Sequence, residues 1–227
     1  MNDEVLEALR GGVVVSCQAY PGEPMRDPDT MARVAESAAL GGAAGIRAQG
    51  TDDLSRIRSA TSLPLIGLVK EGDEGVVITP TLKHALAVAR TGADVVALDA
   101  TGRARPDGST FAEIVRAVHE ESGALVMADV ATTDEGLAAE EAGADVVATT
   151  LAGHTPYTQR TEGPDLDLVA DLSARLERPL VAEGRFDDPG HVSRALQLGA
   201  FAVVVGTAIT HPITLTRRFV AASTRGD

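Results

Sequence analysis

Eight short apolar segments, each followed by an amphipathic stretch, constrain this chain more than any other feature of its sequence. The segments are VVVSC from Val13, AAGI from Ala43, LPLIGLV from Leu63, ADVVAL from Ala93, ALVMA from Ala124, ADVVAT from Ala144, PLVA from Pro179 and AFAVVV from Ala200. They are continuously apolar rather than alternating, which indicates strands buried on both faces by covering helices. Eight such alternations predict a (β/α)₈ TIM barrel, with an open doubly wound sheet as the competing arrangement.

Glycines recur at one place in this pattern and favour the closed barrel. Gly42, Gly92, Gly143 and Gly199 each end an amphipathic stretch and precede an apolar segment. Glycine there predicts a left-handed residue at the end of a helix. We expect residues 1–227 to form a single (β/α)₈ domain, with a short extra helix within residues 2–12 under the barrel floor and a terminal tail at 225–227.

Composition excludes several classes of function. The chain has 20 basic and 33 acidic residues, a formal net charge of −13, and only six aromatic residues, so nucleic acid is not an expected partner. One cysteine, Cys17, cannot form an internal disulfide, and the start MNDEVLEALRGG lacks the features of a secretory signal, which predicts a cytoplasmic protein. No apolar run is long enough for a membrane span.

Polar residues follow the predicted strands, at the end of a barrel where catalytic groups stand. In strand order they are Gln18, Arg47, Lys70, Asp99, Asp129, Thr149 with Thr150, Glu183, and Gly206 with Thr207. Any one of them is equally well explained as a solvated rim, but together they indicate a functional site. Asp99 and Asp129 have the strongest alternative explanation, as helix caps or as partners of an arginine such as Arg47 or Arg103.

Lys70 and Glu183 are the strongest catalytic candidates. Lys70 follows the apolar run LPLIGLV, so desolvation should lower its pKa toward the range in which a neutral amine accepts a proton. Glu183 lies across the predicted barrel and supplies an acid for the same substrate carbon or a neighbouring oxygen. A Schiff base on Lys70, as in a lyase, is the alternative chemistry.

Glycines after the seventh and eighth strands predict a phosphate site. The segments AEGRF and VVGTA place the backbone N–H groups of Gly184, Arg185, Gly206 and Thr207 where barrels commonly bind an anion. No strand ends in histidine, so we expect no bound metal. Cys17 is interpreted as a small buried side chain rather than a nucleophile.

At these residues the chain closely resembles the N-acetylmannosamine-6-phosphate 2-epimerase family. The matching segments run almost from end to end: VSCQAYPGEP, GGAAGIRAQG, LPLIGLVK, VITPTLKHA, ADVVALDATGRARPDG, MADVAT, ADVVATTLAGHTPYT, VAEGRF and VVVGTAITHP. The resemblance implies a phosphate-binding barrel enzyme of sialic acid catabolism, which interconverts N-acetylmannosamine 6-phosphate and N-acetylglucosamine 6-phosphate by inverting C2.

The resemblance also implies roles for particular residues. Lys70 and Glu183 would be the catalytic pair, and Gln18, Arg47 and Asp129 would line the sugar site. His211 stands where the family usually carries an arginine that helps to hold the substrate. No metal or redox cofactor is implied, and a homodimer is expected. A sugar-phosphate-binding barrel without activity is the alternative from another functional class.

Overall fold

The structure is a computed structural model that describes residues 2–223, so the predicted tail at 225–227 lies outside the described residues. Within them, eight parallel strands close into a barrel in sequence order, and the last strand pairs with the first. The strands are β1 Val13–Cys17, β2 Gly45–Gln49, β3 Leu65–Leu68, β4 Val95–Asp99, β5 Leu125–Asp129, β6 Val146–Ala148, β7 Leu180–Glu183 and β8 Ala202–Val205. This confirms the (β/α)₈ barrel and excludes the open sheet.

Helices follow the strands around the barrel. They are α1 Asn2–Leu9, α2 Pro28–Leu40, α3 Thr51–Ala60, α4 Leu82–Ala89, α5 Phe111–Ser122, α6 Thr133–Glu141, α7 Leu166–Arg175, α8 Pro189–Gln197, α9 Thr207–Thr210 and α10 Pro212–Ala221. The short helix expected within residues 2–12 corresponds to α1. Over residues 2–223, no helix combines the length and apolar content needed to cross a membrane.

Local sequence signals set the ends of these helices. Thr110 begins α5 with a capping box, in which its hydroxyl accepts from the backbone N–H of Glu113 and the Glu113 carboxylate accepts from the backbone of Thr110. The four repeated glycines follow the C-terminal ends of α2, α4, α6 and α8. Their φ angles are 87° for Gly42, 83° for Gly92, 96° for Gly143 and 99° for Gly199. The prediction of left-handed residues at these positions is therefore confirmed.

The barrel interior is apolar toward the N-terminal ends of the strands. Leu9 of α1 is 1% exposed and joins an interior cluster that includes Val14, Ile66 and Met127. Every strand residue except Val13 and Glu183 is buried, as the continuous apolar runs predict. With the floor filled in this way, the space for a ligand inside the barrel lies at the C-terminal ends of the strands.

Candidate active site

A cavity of about 580 Å³ opens at the C-terminal end of the barrel. This volume is suited to a small polar ligand. Eight of the ten site residues expected from the sequence line it: Gln18, Lys70, Glu183, Gly184, Arg185, Gly206, Thr207 and His211. The other two, Arg47 and Asp129, are bonded to each other and contact Glu183 through Arg47. The structure thus brings all ten candidates together.

Arg47 lies in the middle of β2 rather than at its end, so the strand boundary expected from the sequence is wrong. The strand continues to Gln49, because the Arg47 guanidinium is paired inside the barrel and does not need solvent. Arg47 is 1% exposed, and its Nη1 and Nη2 donate to Asp129 Oδ1 and Oδ2 at 3.1 and 2.6 Å. This two-bond pairing with a fully buried carboxylate offsets the cost of burying both charges.

Glu183 is the second carboxyl group of this cluster. Its Oε2 lies 3.1 Å from Arg47 Nη1, and its side chain is 14% exposed at the base of the cavity. Burial is the main cause that raises the pKa of Glu183, and the nearby Asp129 raises it further. Arg47 and Lys70 oppose that increase without cancelling it, and a Thr150 hydroxyl that donated to the ionised carboxylate would oppose it as well. A raised pKa favours the protonated form that a general acid requires.

Two threonines after β6 hold Glu183 in place. Thr149 Oγ1 donates to the backbone carbonyl of Glu183 and accepts from its backbone N–H, both at 2.9 Å. Thr150 Oγ1 lies 2.6 Å from Asp129 Oδ1 and 3.1 Å from Glu183 Oε2. The sequence shows these threonines at a strand end, but their residue type gives no sign that they join two carboxyl groups.

Lys70 lies two residues beyond the end of β3. It pairs with Ile78 in an isolated antiparallel bridge, which gives the β3–α4 connection the form of a narrow loop. Thr79 closes the loop: its N–H donates to Val69 O at 2.8 Å, and its own φ of 44° lies in the left-handed region. Buried Arg105 donates to Thr79 O and so fixes this uncommon conformation.

The Lys70 amine faces the cavity without a direct partner. Within residues 2–223, Nζ makes no hydrogen bond or ion pair, and its nearest described aromatic contact is the Tyr20 ring, whose centroid is 5.6 Å away. The side chain is accessible from the cavity, but protein surrounds the cavity, so desolvation lowers the pKa of Lys70 and the Arg47 charge lowers it further. Glu183 and Asp129 act in the opposite direction. The lowered pKa agrees with the expectation from the apolar run.

Asp99, another predicted strand-end residue, belongs to a different network. Its Oδ2 accepts from Arg103 Nη2 at 2.6 Å, and its Oδ1 accepts from the hydroxyl and the backbone N–H of Thr101. It does not line the cavity. Pairing with an arginine, which the sequence allowed as the alternative, is therefore the observed arrangement.

Positive charge collects at the mouth of the cavity near β7 and β8. Gly184 and Arg185 both have positive φ angles, 110° and 59°, where the chain turns after β7. Desolvation lowers the pKa of His154 at this mouth, and the charges of Arg185, Arg160 and Lys70 lower it further. The cavity lining holds four cationic side chains against three acidic ones, a small excess that favours an anionic ligand. Sequence reasoning missed Arg160, because it lies in an irregular loop after β6 rather than at a strand end.

His211 and Gln18 stand on the other side of the mouth. His211 caps α10, and its ring nitrogens lie 2.7 Å from Thr214 Oγ1 and 2.8 Å from Glu23 Oε1, so both are engaged. Gln18 Nε2 donates to Ser16 Oγ at 2.8 Å, whereas Gln18 Oε1 is buried without a partner among the described residues.

Cys17 takes no part in this chemistry. Its side chain is fully buried, and burial raises the pKa of the thiol to about 12, so the reactive thiolate is not formed near neutral pH. This confirms its interpretation as a buried side chain. Across residues 2–223, no three His, Cys, Asp or Glu side chains are grouped as ligands for a metal ion.

Comparisons with known proteins agree with this geometry. The family described as "Putative N-acetylmannosamine-6-phosphate epimerase" matches residues 31–225. A Cutibacterium acnes protein named "Putative N-acetylmannosamine-6-phosphate 2-epimerase" is 51% identical over 219 residues, which cover 96% of each chain. A protein of the same name from Caldanaerobacter subterraneus is 45% identical over 97% of this chain and 94% of its own.

A solved structure is also similar. It is the N-acetylmannosamine-6-phosphate 2-epimerase from Clostridium perfringens, which is 41% identical, covers 96% of each chain and superimposes with a TM-score of 0.93. These similarities do not favour a Schiff-base lyase or a barrel without activity. The chain belongs to the N-acetylmannosamine-6-phosphate epimerase family.

Proposed function

We propose that the protein is an isomerase that interconverts N-acetylmannosamine 6-phosphate and N-acetylglucosamine 6-phosphate. The observation that carries this proposal is the placement of Lys70 and Glu183 around one cavity: an amine without a direct partner and a largely buried carboxyl group. The lowered pKa of Lys70 favours a base, and the raised pKa of Glu183 favours an acid. A base and an acid of this kind can together remove a proton from one carbon and return it.

The reaction starts when the sugar ring opens, because the C2 proton is acidic only beside the C1 aldehyde. In ring opening, Glu183 gives its proton to the ring oxygen as the bond from C1 to that oxygen breaks, and it takes back the proton of the C1 hydroxyl as the aldehyde forms. Lys70 then removes the C2 proton to give an enolate. A hydrogen-bond donor at the enolate oxygen stabilises that intermediate. Glu183 then gives its proton to the other face of C2, which completes the inversion, and proton exchange with solvent returns Lys70 and Glu183 to their starting states. These steps require neither a metal nor a redox cofactor.

The remaining cavity residues bind the substrate in this proposal. The phosphate would lie at the backbone of Gly184, Arg185, Gly206 and Thr207, with the positive potential at the mouth supporting it. Gln18, which lines the cavity, would contact the sugar hydroxyls or the acetamido group. Arg47 and Asp129 hold the Glu183 carboxyl group at the base of the cavity, and His211 borders the substrate at the rim.

The chain has two lysines, which makes a matched test available. Purified protein is incubated with N-acetylmannosamine 6-phosphate in heavy water, and proton NMR follows both epimerisation and deuterium incorporation at C2. Lys70→Ala is expected to reduce both by about 10²–10⁴-fold, the usual contribution of a general base. Lys83→Ala, at an exposed position on α4, should leave both unchanged. Undiminished exchange in Lys70→Ala would remove Lys70 from the role of base.

We also infer that the protein forms a homodimer. No residue of α10 is buried, and its Phe219 and Val220 side chains are 80% and 57% exposed. A groove lined by Val13 and Val15 lies open on the outer face of β1. Apolar surface of this kind is usually covered by a partner. Sedimentation of wild type and Phe219→Glu tests this, since a monomer in both would contradict it. A cytoplasmic location stays a prediction of the sequence.

A further inference from the structure

Thr150 lies between the two carboxyl groups of the site. Its Oγ1 is 2.6 Å from Asp129 Oδ1 and 3.1 Å from Glu183 Oε2. A hydroxyl group carries one hydrogen, so it can donate to only one of these oxygens and presents lone pairs to the other. If both carboxyl groups were ionised, one of the two oxygen–oxygen contacts would contain no proton and would be repulsive.

Asp129 is the group that receives the Thr150 proton. Both Asp129 oxygens accept from Arg47, which stabilises the ionised form, and 2.6 Å is typical of a hydroxyl that donates to a carboxylate. Glu183 lacks an equivalent donor. Arg47 Nη1 directs its hydrogen bonds to Asp129 Oδ1 and to Met127 Sδ. Glu183 Oε2 therefore lies within ion-pair distance of this nitrogen, at 3.1 Å, but does not accept a hydrogen bond from it.

We propose that Thr150 is a positioning residue for the acid of this site: its hydroxyl donates to Asp129 and accepts a hydrogen bond from the protonated carboxyl group of Glu183. When Glu183 transfers its proton to a sugar oxygen, the O–H bond of the acid breaks and one forms on the sugar. The Thr150 hydroxyl then turns to donate to the new carboxylate, while Asp129 keeps both bonds from Arg47. This second step rests on the proposed function, whereas the state of the free enzyme does not.

The charges around Glu183 agree with a protonated carboxyl group in the free enzyme. The charged groups that face it from the packed elements are Arg47 of β2, Lys70 beyond β3 and Asp129 of β5. Burial, the largest cause, and Asp129 raise the pKa of Glu183 above its ordinary value despite the cations. With Glu183 protonated, the buried ion pair that remains beside it is one cation, Arg47, against one anion, Asp129.

Infrared spectroscopy of the ligand-free enzyme tests the proposal directly. In protein labelled with carbon-13 glutamate, the carbonyl band of the protonated acid is assigned to Glu183 by its loss in Glu183→Gln and is followed with pH. Thr150→Val removes two hydrogen bonds from the protonated state and one from the ionised state. The proton-binding constant of Glu183 should therefore fall about tenfold, which moves the midpoint down by about one pH unit. Thr150→Ser should restore the wild-type midpoint.

Thr149→Val is the matched control, because that hydroxyl contacts only the backbone of Glu183 in the described part of the chain. The pH midpoint of Glu183 in this variant should equal that of wild type. An unchanged or raised midpoint in Thr150→Val, or an equal shift in Thr149→Val, overturns the proposal. If Thr150→Val does not fold, Thr150→Ala is read in the same way. Because no sugar is present, failure here leaves the epimerase assignment standing, and failure of epimerisation leaves this result interpretable.

Discussion

The two ends of the barrel interior are built on opposite principles. At the floor, Leu9 of α1 packs against Val14 and Ile66, and these contacts are apolar. At the other end, Arg47 and Asp129 are equally buried but charged. Apolar burial stabilises the fold wherever it occurs, whereas buried charges are tolerated only while their pairing is complete. The comparison shows that one sheet carries apolar residues that stabilise the fold at one end and paired charged residues of the candidate site at the other.

The largest expected effect on stability comes from removing the cation of the buried charged cluster, Arg47. Arg47→Ala leaves two carboxyl groups buried without their cation and should lower the free energy of unfolding by about 3–5 kcal/mol at neutral pH. The carboxyl groups of the folded variant bind protons more readily than those of the unfolded chain, so its stability should recover as the pH falls. Urea unfolding at several pH values measures both effects.

Arg56→Ala is the control for this variant. Arg56 pairs with Asp29 at the surface, where both side chains are more than half exposed, and its loss should change the free energy of unfolding far less than the loss of Arg47. If the two variants were equally stable, the cluster around Arg47 would not depend on complete pairing, and the contrast between the two ends of the barrel would be wrong.

A somewhat smaller effect is expected at the floor. Leu9→Ala removes a side chain that is 1% exposed and should cost about 2–4 kcal/mol. Since the floor lies at the opposite end of the strands, kcat should not change in the protein that remains folded. Leu40→Ala, at a position 92% exposed, should cost less than about 0.5 kcal/mol. A large fall in kcat for Leu9→Ala would show that the two ends are coupled.

The two lysines allow a test of the site without any substitution. Because its pKa is lowered, Lys70 should have a larger neutral fraction than an ordinary lysine at the same pH and react early with a small acylating reagent that enters the cavity. Mass spectrometry of briefly acetylated protein should find Lys70 modified ahead of Lys83. The substrate should protect Lys70 alone. Preferential modification of Lys83 would contradict the electrostatics described for the site.

The sequence predicts the floor more fully than the site, for a physical reason. Apolar burial depends on pattern, so continuous runs and repeated glycines suffice to predict parallel strands and their order around a barrel. Charged residues carry no such pattern. Arg47 was expected at a strand end because exposed charge is the rule, yet inside the barrel it is paired and buried. No local signal in the sequence distinguishes these two situations.

Residues that act through neighbours are the hardest to predict. Thr150 and Thr149 are adjacent and identical in type, yet one contacts side-chain oxygens of two carboxyl groups and the other contacts a backbone. Arg160 reaches the cavity from an irregular loop whose path depends on tertiary packing. His211 was expected at the substrate rim, and the cap and ion pair that occupy its ring become evident only when Glu23 and Thr214 are brought beside it.

The smallest expected effect is that of His211→Arg, which places a permanent cation at the rim of the cavity. The new side chain can still pair with Glu23, but it loses the acceptor that caps α10, at a cost of about 0.5–1 kcal/mol of stability. Under the proposed function the rim binds the substrate without taking part in proton transfer, so KM should fall by less than about tenfold while kcat stays constant. Added salt should weaken this gain in substrate affinity, because an exposed charge is screened.

Thr214→Ala is the control, because it perturbs the same cap without adding charge and so separates the effect of the cap from the effect of the charge. A change in kcat instead of KM would place His211 among the groups that act on the reacting atoms, and the division between a binding rim and a reactive base would then have to be redrawn.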